Sequence, residues 1–342
     1  MSLGNEGSSS DDATRPRISV VVVTYNSTAV IRDCLAPLAA NSDIELIVVD
    51  NASIDDTLDM VLEVAPSASV IRNSENQGFG AAVNLGAAQA TGRVIVLLNP
   101  DARASSHTLI ALADVLEQNP SVGIVAPLVV APQDEFPTVA AGDAPTKWRM
   151  FTHATGLSRL GARFPLFDGI YRFRATLPGV GELDVDWVSG ACLVVRKKDW
   201  TALGGLTDRW FMYGEDVELC LRMRADDKRV VIAVEHSVEH AIGGSSSDVD
   251  GRMNTAWITN LFDLYAWRLS GSRIDATAWK SIVVAGFYSR ALAFVLLSIH
   301  PTKRTRAKWE IRRYRSYARA LIATRSTGNR EPLQLGRSRS AS

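Results

Sequence analysis

The chain opens its regular pattern with ISVVVVT at Ile18–Thr24, an unbroken apolar, β-branched run of the kind expected for a strand buried on both faces of a parallel sheet. Helical spacing follows over Thr28–Ala40, and a second strand-like run occupies Ile44–Val49. A helix is predicted to begin near Ser53, whose side chain suits an N-cap, with Asp55 and Asp56 in its first turn. Val70–Arg72 reads as a short third strand, Gly80–Ala90 as an Ala-rich helix and Val94–Leu98 as a fourth strand. A helix near Ser106–Glu117 and a strand at Val122–Ala126 continue the alternation, which predicts a mostly parallel α/β sheet with helices on both faces. Periodicity then fades from Ala131 to Glu182 among Pro, Gly and aromatic residues, as in a long insertion. It returns as a strand-like Val185–Val195, a segment Trp200–Leu206, a helix starting at Glu215 and a strand at Arg229–Val234. From Asn254 onward the pattern is helical, rich in Trp and increasingly basic.

At 342 residues the chain exceeds a typical single domain. The expected division is a leader over residues 1–16, an α/β domain over 17–250, a basic helical region over 251–325 and an unstructured tail over 326–342. Lys plus Arg and Asp plus Glu are equal at 37 each, so overall charge gives no reason to expect a nucleic-acid partner. The balance is uneven, however: from Lys303 to the end only Glu310 and Glu331 oppose a dense run of Arg and Lys, and the rest of the chain is net acidic. The polar leader has no apolar signal core, and Cys34, Cys192 and Cys220 are scattered among apolar residues without a CxxC. Buried reduced thiols in a cytoplasmic protein are the expectation. Ser281–Ile299 is apolar enough to raise a membrane span, but Arg290 near its centre would cost roughly 2.5–3.5 kcal/mol on insertion scales. A helix packed on the domain or lying in the membrane interface fits better, with the basic segment after it drawn to anionic lipid.

Ligands of parallel α/β sheets bind at the carboxyl ends of the strands. Here four successive strand ends are polar: Thr24-Tyr25-Asn26-Ser27, Asp50-Asn51-Ala52-Ser53, Arg72 to Gly80, and Asn99-Pro100-Asp101. Each alone is explained by turn formation and capping. Four in succession, with an acid just after a buried strand twice (Asp50 and Asp101), point to a site for a polar ligand. GxxxxGK[ST] is absent and NQGFGAAVN does not follow the first strand, which disfavours a P-loop ATPase and a conventional dehydrogenase.

VVVTYNS at 21–27, DNASIDDT at 50–57, NQGFGAAVNLG at 76–86, LLNPDA at 97–102, DWVSGACLVVRK at 186–197 and FMYGEDVELCLR at 211–222 resemble, in order, the motifs of family 2 glycosyltransferases. The resemblance covers roughly residues 18–246. It implies the GT-A fold, a nucleotide-binding α/β domain with an acceptor side grown onto it. Within the family the pattern is most similar to bacterial rhamnosyltransferases, including those that move L-rhamnose from dTDP-rhamnose to a polyprenyl-diphosphate-linked N-acetylglucosamine. That implies a nucleotide-sugar donor, a lipid-linked or glycan acceptor, and a cytoplasmic enzyme peripheral at the inner face of the cell membrane.

The resemblance assigns Asp50 to the nucleotide base, with Thr24, Tyr25, Asn26 and Asn51 lining the same pocket. Asn76, Gly78, Phe79 and Asn99 fall on the donor side; Gly78 and Gly80 would let backbone approach the diphosphate at a helix N-terminus. Asp101 matches the last acid of the family's metal-binding DxD, and Asn99 replaces the first acid, which implies weaker binding of Mg²⁺ or Mn²⁺ without the nucleotide. His240 matches a histidine that often completes the metal shell, with His236 as the alternative. Trp187, Ser189 and Gly190 would shape the donor and acceptor pocket.

Glu215 and Asp216 follow a glycine at a predicted helix start. Adjacent helical residues diverge by about 100°, so both cannot face one cleft. Helix capping is a sufficient explanation for either. The resemblance places the catalytic base at Asp216, with Glu215 as the fallback, and a single base opposite the leaving group implies inversion. A nucleotidyltransferase would show a basic Gly-rich loop after strand one, which TYNSTAV lacks. A non-catalytic sugar-binding protein on a decayed transferase scaffold fits poorly with the retained order of Asp50, Asp101 and Asp216.

Overall fold

A computed structural model of the chain describes residues 16–130, 140–171, 181–240, 253–326 and 329–335. Most of the predicted leader, parts of the 131–182 insertion, the stretch after His240 and the end of the tail lie outside the described residues. The first half runs β1 (Ile18–Thr24), α1 (Ile31–Leu35), β2 (Ile44–Asp50), α2 (Thr57–Val64), β3 (Ser69–Arg72), α3 (Phe79–Gln89), β4 (Val94–Leu98), β5 (Ala102–Arg103), α4 (Ser106–Gln118) and β6 (Val122–Val130). There follow β7 (Ala141–Gly142), α5 (Lys147–Thr155), two 3₁₀ turns, β8 (Glu182–Val185), β9 (Trp187–Val188), β10 (Cys192–Arg196), α6 (Lys197–Leu203), α7 (Glu215–Ala225) and β11 (Arg229–His240). The chain closes with α8 (Ala256–Leu264) and its π-helical continuation Tyr265–Leu269, then α9 (Arg273–Leu297) and α10 (Arg304–Ala323).

The sheet order is β3-β2-β1-β4-β10-β6-β11-β5, with β8 added on β11. β1, β2, β3 and β4 are parallel, and the register sets Thr24 beside Asp50 and Val22 beside Leu98. The polar residues that follow these strands are thereby gathered along one edge. β10 lies antiparallel between β4 and β6, an insertion that alternation of strand and helix could not reveal. Along β1 the run alternates faces: Val21 and Val23 join the core under α3 and α7, while Val20 and Val22 join the core under α1, α2 and α4. That double burial is why the strand reads as continuously apolar.

Several boundaries differ from expectation. The helix predicted over Thr28–Ala40 is confined to Ile31–Leu35: Ala36 keeps helical backbone, but Pro37 has no N–H to donate to the preceding turn, and the ladder stops there. Ser53 does not cap α2, which starts at Thr57; Asp55 instead accepts from the Thr57 amide at 3.2 Å. The strand-like Val185–Val195 divides into β8, β9 and β10. The aperiodic insertion contributes α5, capped by Thr146, which packs with α8, α9 and α10 in a separate core around Met150, Phe262, Trp279 and Phe287. Within the expected tail, residues 329–335 are bound to the body: Glu331 and Leu333 donate backbone N–H to Trp267 and Arg268 at 2.9 Å.

Of the described helices, α9 alone is long and apolar enough to cross a membrane. Its Arg290 is turned into the helical layer, donating to the His153 carbonyl at 3.0 Å with its guanidinium 4.7 Å from the Tyr314 ring centroid. All three cysteines are buried and free, and burial pushes each thiol well above its usual range.

Candidate active site

At the ends of β1 and β2, Asp50 is 2% exposed and its carboxylate accepts three hydrogen bonds. They come from Thr24 Oγ1 (2.9 Å), Ser53 Oγ (2.5 Å) and the Ser53 amide (3.0 Å). A carboxylate has about four lone-pair positions, so one remains for an N–H from outside. Asn26, in left-handed backbone at φ 50, clamps the same loop: its amide donates to Ser53 Oγ at 2.9 Å and its Oδ1 accepts from the Ile54 amide at 2.9 Å. Tyr25 beside it is half exposed. Asn51 Nδ2 reaches the Gly78 carbonyl at 3.1 Å, tying this loop to the start of α3.

That start requires glycine. Gly78 has φ +87, and a Cβ there would stand 2.3 Å from the Phe211 carbonyl oxygen. Asn76 Oδ1 accepts from the Gly78 amide at 3.1 Å, and the Phe79 amide donates to the Phe211 carbonyl at 2.9 Å. The donor-side loop is thus fastened to FMYGED itself.

A second cluster forms after β4. The short β5 ladder pairs Ala102 with His240, which brings Asp101 and His240 together across 139 positions. His240 Nε2 lies 3.0 Å from Asp101 Oδ1 and 3.3 Å from Asn99 Nδ2. Asp101 Oδ2 is buried without a hydrogen-bond partner. One imidazole nitrogen cannot serve both neighbours as donor and acceptor at once, and the free carboxylate oxygen lacks compensation. A divalent cation bound by Asp101 and His240 would relieve both, so the donor set fits such an ion. Among the described residues no group of three or more His, Cys, Asp and Glu forms a complete site, so the remaining ligands would be diphosphate oxygens and water. His236, a strand neighbour of His240 in β11, has no recorded contact with Asp101.

The third cluster surrounds α7. Gly214, at φ +108, turns the chain so that Glu215 and Asp216 open the helix. Asp216 is part-exposed and accepts from the Gly190 amide at 3.0 Å and its own neighbour Val217 at 2.8 Å. Glu215 is 3% exposed, and its Oε2 has no partner. Burial, then the charge of Asp216, pushes the Glu215 carboxyl up to about 8. Burial also raises Asp216, against the opposing pull of the Gly190 and Val217 amides. The two acids diverge as helix geometry demands, and their environments separate them into a neutral Glu215 and an amide-supported carboxylate at Asp216.

The clusters touch. A Cβ on Gly190 would lie 3.3 Å from the Phe79 ring and 3.8 Å from the Asp216 Cβ, so Phe79 borders the Asp216 pocket. The Asn99 amide donates to the Ala191 carbonyl at 3.0 Å, fixing the end of β4 to the same SGA turn. Ser189 Oγ accepts from Ala191 at 3.2 Å and stiffens that turn. Trp187 is 8% exposed with its indole N–H on the Asp143 carbonyl at 3.1 Å, so it supports the pocket wall from behind instead of lining it. Residues 19–173 match the model of the Glycosyl transferase family 2. Those residues form a family 2 glycosyltransferase domain.

The glycosyltransferase is 29% identical over 216 residues, spanning 59% of this chain and 68% of the relative, to an N-acetylglucosaminyl-diphospho-decaprenol L-rhamnosyltransferase of Mycobacterium tuberculosis. Its fold is similar to that of a mannosyltransferase from Pyrobaculum calidifontis solved with GDP-Man and Mn²⁺, at 17% identity and TM-score 0.54 over 90% of this chain and 88% of that one. It is also similar to GalNAc-T7 solved with UDP, GalNAc and Mn²⁺, at 14% identity and TM-score 0.50 over 75% of this chain and 49% of that one. The fold is GT-A.

Two residues of the glycosyltransferase site escaped the sequence reading. Ser53, read as a cap, is a direct partner of Asp50 and Asn26. Tyr171, from the aperiodic insertion, is part-buried with its ring edge-on to Trp187, and its hydroxyl is pushed up to about 12 by desolvation and then by the charge of Asp216. Nothing in the local pattern marks Tyr171, since only the tertiary fold returns the insertion to α7.

Proposed function

We propose that the protein is an inverting sugar transferase that uses a nucleotide-diphosphate sugar, dTDP-L-rhamnose, and a lipid-linked acceptor, working peripherally at the cytoplasmic face of the membrane. The observation that carries this reading is the Asp216 carboxylate, held by the Gly190 and Val217 amides against the donor-side ring of Phe79. The likeness to the mycobacterial rhamnosyltransferase supports the choice of sugar and acceptor. The fourth acceptor position of Asp50 suits the N3–H of a thymine or uracil ring, with Tyr25 and the Asn26–Ser53 clamp around it. With the Gly78 and Phe79 amides taken by Asn76 and Phe211, the next amides of the α3 N-terminus, at Gly80 and Ala81, would face the diphosphate. Asp101 and His240 would hold a Mg²⁺ or Mn²⁺ ion, with Asn99 alongside. When bound, that ion supplies charge neutralisation to the departing nucleotide diphosphate. Asp216 takes the proton of the acceptor hydroxyl as its oxygen attacks the anomeric carbon from the face opposite the leaving group. Burial raises its affinity for protons, which favours that transfer. Neutral Glu215 behind it avoids a second negative charge beside the base.

A donor screen by nucleotide-diphosphate release, with membrane lipid extract as acceptor and Mg²⁺ or Mn²⁺ present, tests the reading. Release from dTDP-rhamnose above all other donors is the expected outcome. Preference for a UDP-hexose would overturn the sugar, and tight nucleotide binding without turnover on any acceptor would overturn the transferase reading.

A further inference from the structure

The two helices that close the chain present surfaces that the sugar-transfer chemistry does not use. Along α9 one stripe, Trp279, Val283 and Phe287, is buried in the helical layer. The opposite stripe is exposed and apolar: Tyr288, Leu292, Val295, Leu296 and then Ile299, at 40%, 64%, 45%, 66% and 78%. Positions 288, 292, 295, 296 and 299 follow the period of a single helix face. Exposure rises toward the end of the helix.

A neighbouring element adds exposed apolar residues at the same end of α9. α5 runs parallel to α9, because Pro145 meets Trp279 (2.7 Å), Ala154 meets Gly286, and the His153 carbonyl meets Arg290 (3.0 Å). The 3₁₀ turn Leu157–Ala162 that follows therefore leaves α5 toward the tip of α9, and here Leu160 and Phe164 are also about half exposed. Exposed apolar side chains gathered at one end of the helical layer need an explanation in a folded protein.

Charge identifies what would cover it. The turn out of α9 leads straight into exposed Lys303, Arg304, Arg306 and Lys308, and Arg159 and Arg163 are exposed on the 3₁₀ side. The one acid in α10, Glu310, is buried and bound to Arg313 at 2.8 Å. Trp309 is 46% exposed among these cations. An apolar tip ringed by Arg and Lys, with a Trp at its margin, matches a bilayer surface: acyl chains below, anionic headgroups around, and the indole at their boundary.

We infer that the tip of α9, the adjoining 3₁₀ turn and the first turns of α10 form a docking surface that seats the enzyme on an anionic membrane, with α9 entering the interface without spanning it. Spanning would strip Trp279, Phe287 and Arg290 of their partners in the helical layer. The surface is read from exposure and charge alone, so it stands apart from the identity of the sugar. Its use in catalysis rests on the proposed lipid-linked acceptor.

The test is co-sedimentation of the full-length protein with phosphatidylcholine vesicles that contain or lack phosphatidylglycerol. Binding to the anionic vesicles alone, weakened by high salt, is expected. Leu292→Asp with Leu296→Asp should lower vesicle affinity at least tenfold, and Arg304→Glu, Arg306→Glu and Lys308→Glu together should do the same while abolishing the salt dependence. Nucleotide-diphosphate release with a soluble short-chain acceptor should be unchanged in both, which separates failure of docking from failure of the transferase reading. Three outcomes overturn the proposal: equal binding of wild type and variants, resistance of the protein to alkaline carbonate extraction (a spanning helix), or a dimer in solution that Leu292→Asp dissolves (a second copy as the occupant).

Discussion

Replacement of Glu215 by glutamine isolates the proton that separates the two acids of FMYGED. Glu215 is 3% exposed and its Oε2 is buried without a partner, whereas Asp216 receives two backbone N–H groups. The proton of the pair therefore resides on Glu215, pushed up to about 8 from its usual 4.5. In the unfolded chain this proton is released near pH 4.5, so folding must take one up throughout the intervening range. Because the folded-state value is the higher one, the stabilising contribution is fully present below the unfolded value. It falls as pH rises and is lost above about 8. One proton corresponds to a slope of about 1.4 kcal/mol per pH unit. Glutamine keeps the shape without the proton, so wild type should lose stability relative to Glu215→Gln by roughly 3 kcal/mol between about pH 5 and pH 7. Urea unfolding of both proteins at a series of pH values measures the difference directly. Asp216 contributes with the same sign in each and largely cancels. Parallel stability curves would show that Glu215 is ionised in the fold and would refute the division of the pair.

Asp216→Asn keeps an acceptor for the Val217 amide but removes the base; kcat should fall about 10²–10⁴-fold with the donor KM and the unfolding midpoint little changed, by steady-state kinetics and thermal melts. Asp50→Ala removes a charged acceptor from the base pocket and should weaken nucleotide binding roughly 10- to 100-fold by calorimetry. Asp101→Asn with His240→Ala should leave nucleotide affinity the same with and without Mn²⁺, whereas in the wild type Mn²⁺ should tighten it; a retained metal response would relocate the ion. Glu218 is fully buried between Arg222 (2.7 Å) and Arg268 (2.8 Å), so Glu218→Ala should destabilise the fold by about 3 kcal/mol in chemical denaturation, the cost of removing the buried carboxylate that two part-buried guanidinium groups share.

How far the site was legible depends on whether its parts are local. Thr24, Asp50 and Asp101 were recoverable because each follows a buried strand whose apolar run is plain in the chain, and the parallel register then aligns Thr24 with Asp50. Asp101 and His240 are 139 positions apart, and only motif resemblance, not periodicity, could associate them. Pro37 was visible yet outweighed by helical spacing, and the helix it ends is short. Ser53 looked like a cap because a serine before two aspartates is a good capping pattern, but its hydroxyl is taken by Asp50.

By itself, the sequence determined the succession of β1 to β4 and β6 with their helices, the two-faced burial of β1, the polar character of the strand ends and the divergence of Glu215 from Asp216, since all of these follow from bond geometry and nearest neighbours along the chain. The tertiary structure decided what depends on distant desolvation and distant donors. The antiparallel passage of β10 places the SGA turn over α7, where its Gly190 amide donates to Asp216, while Glu215, with its Oε2 buried and unpartnered, is pushed up by burial and by the charge of Asp216. In α9 likewise, the sequence supplied an apolar helix with an arginine in it, and packing against α5 and α10 divided that helix into a buried stripe and an exposed one.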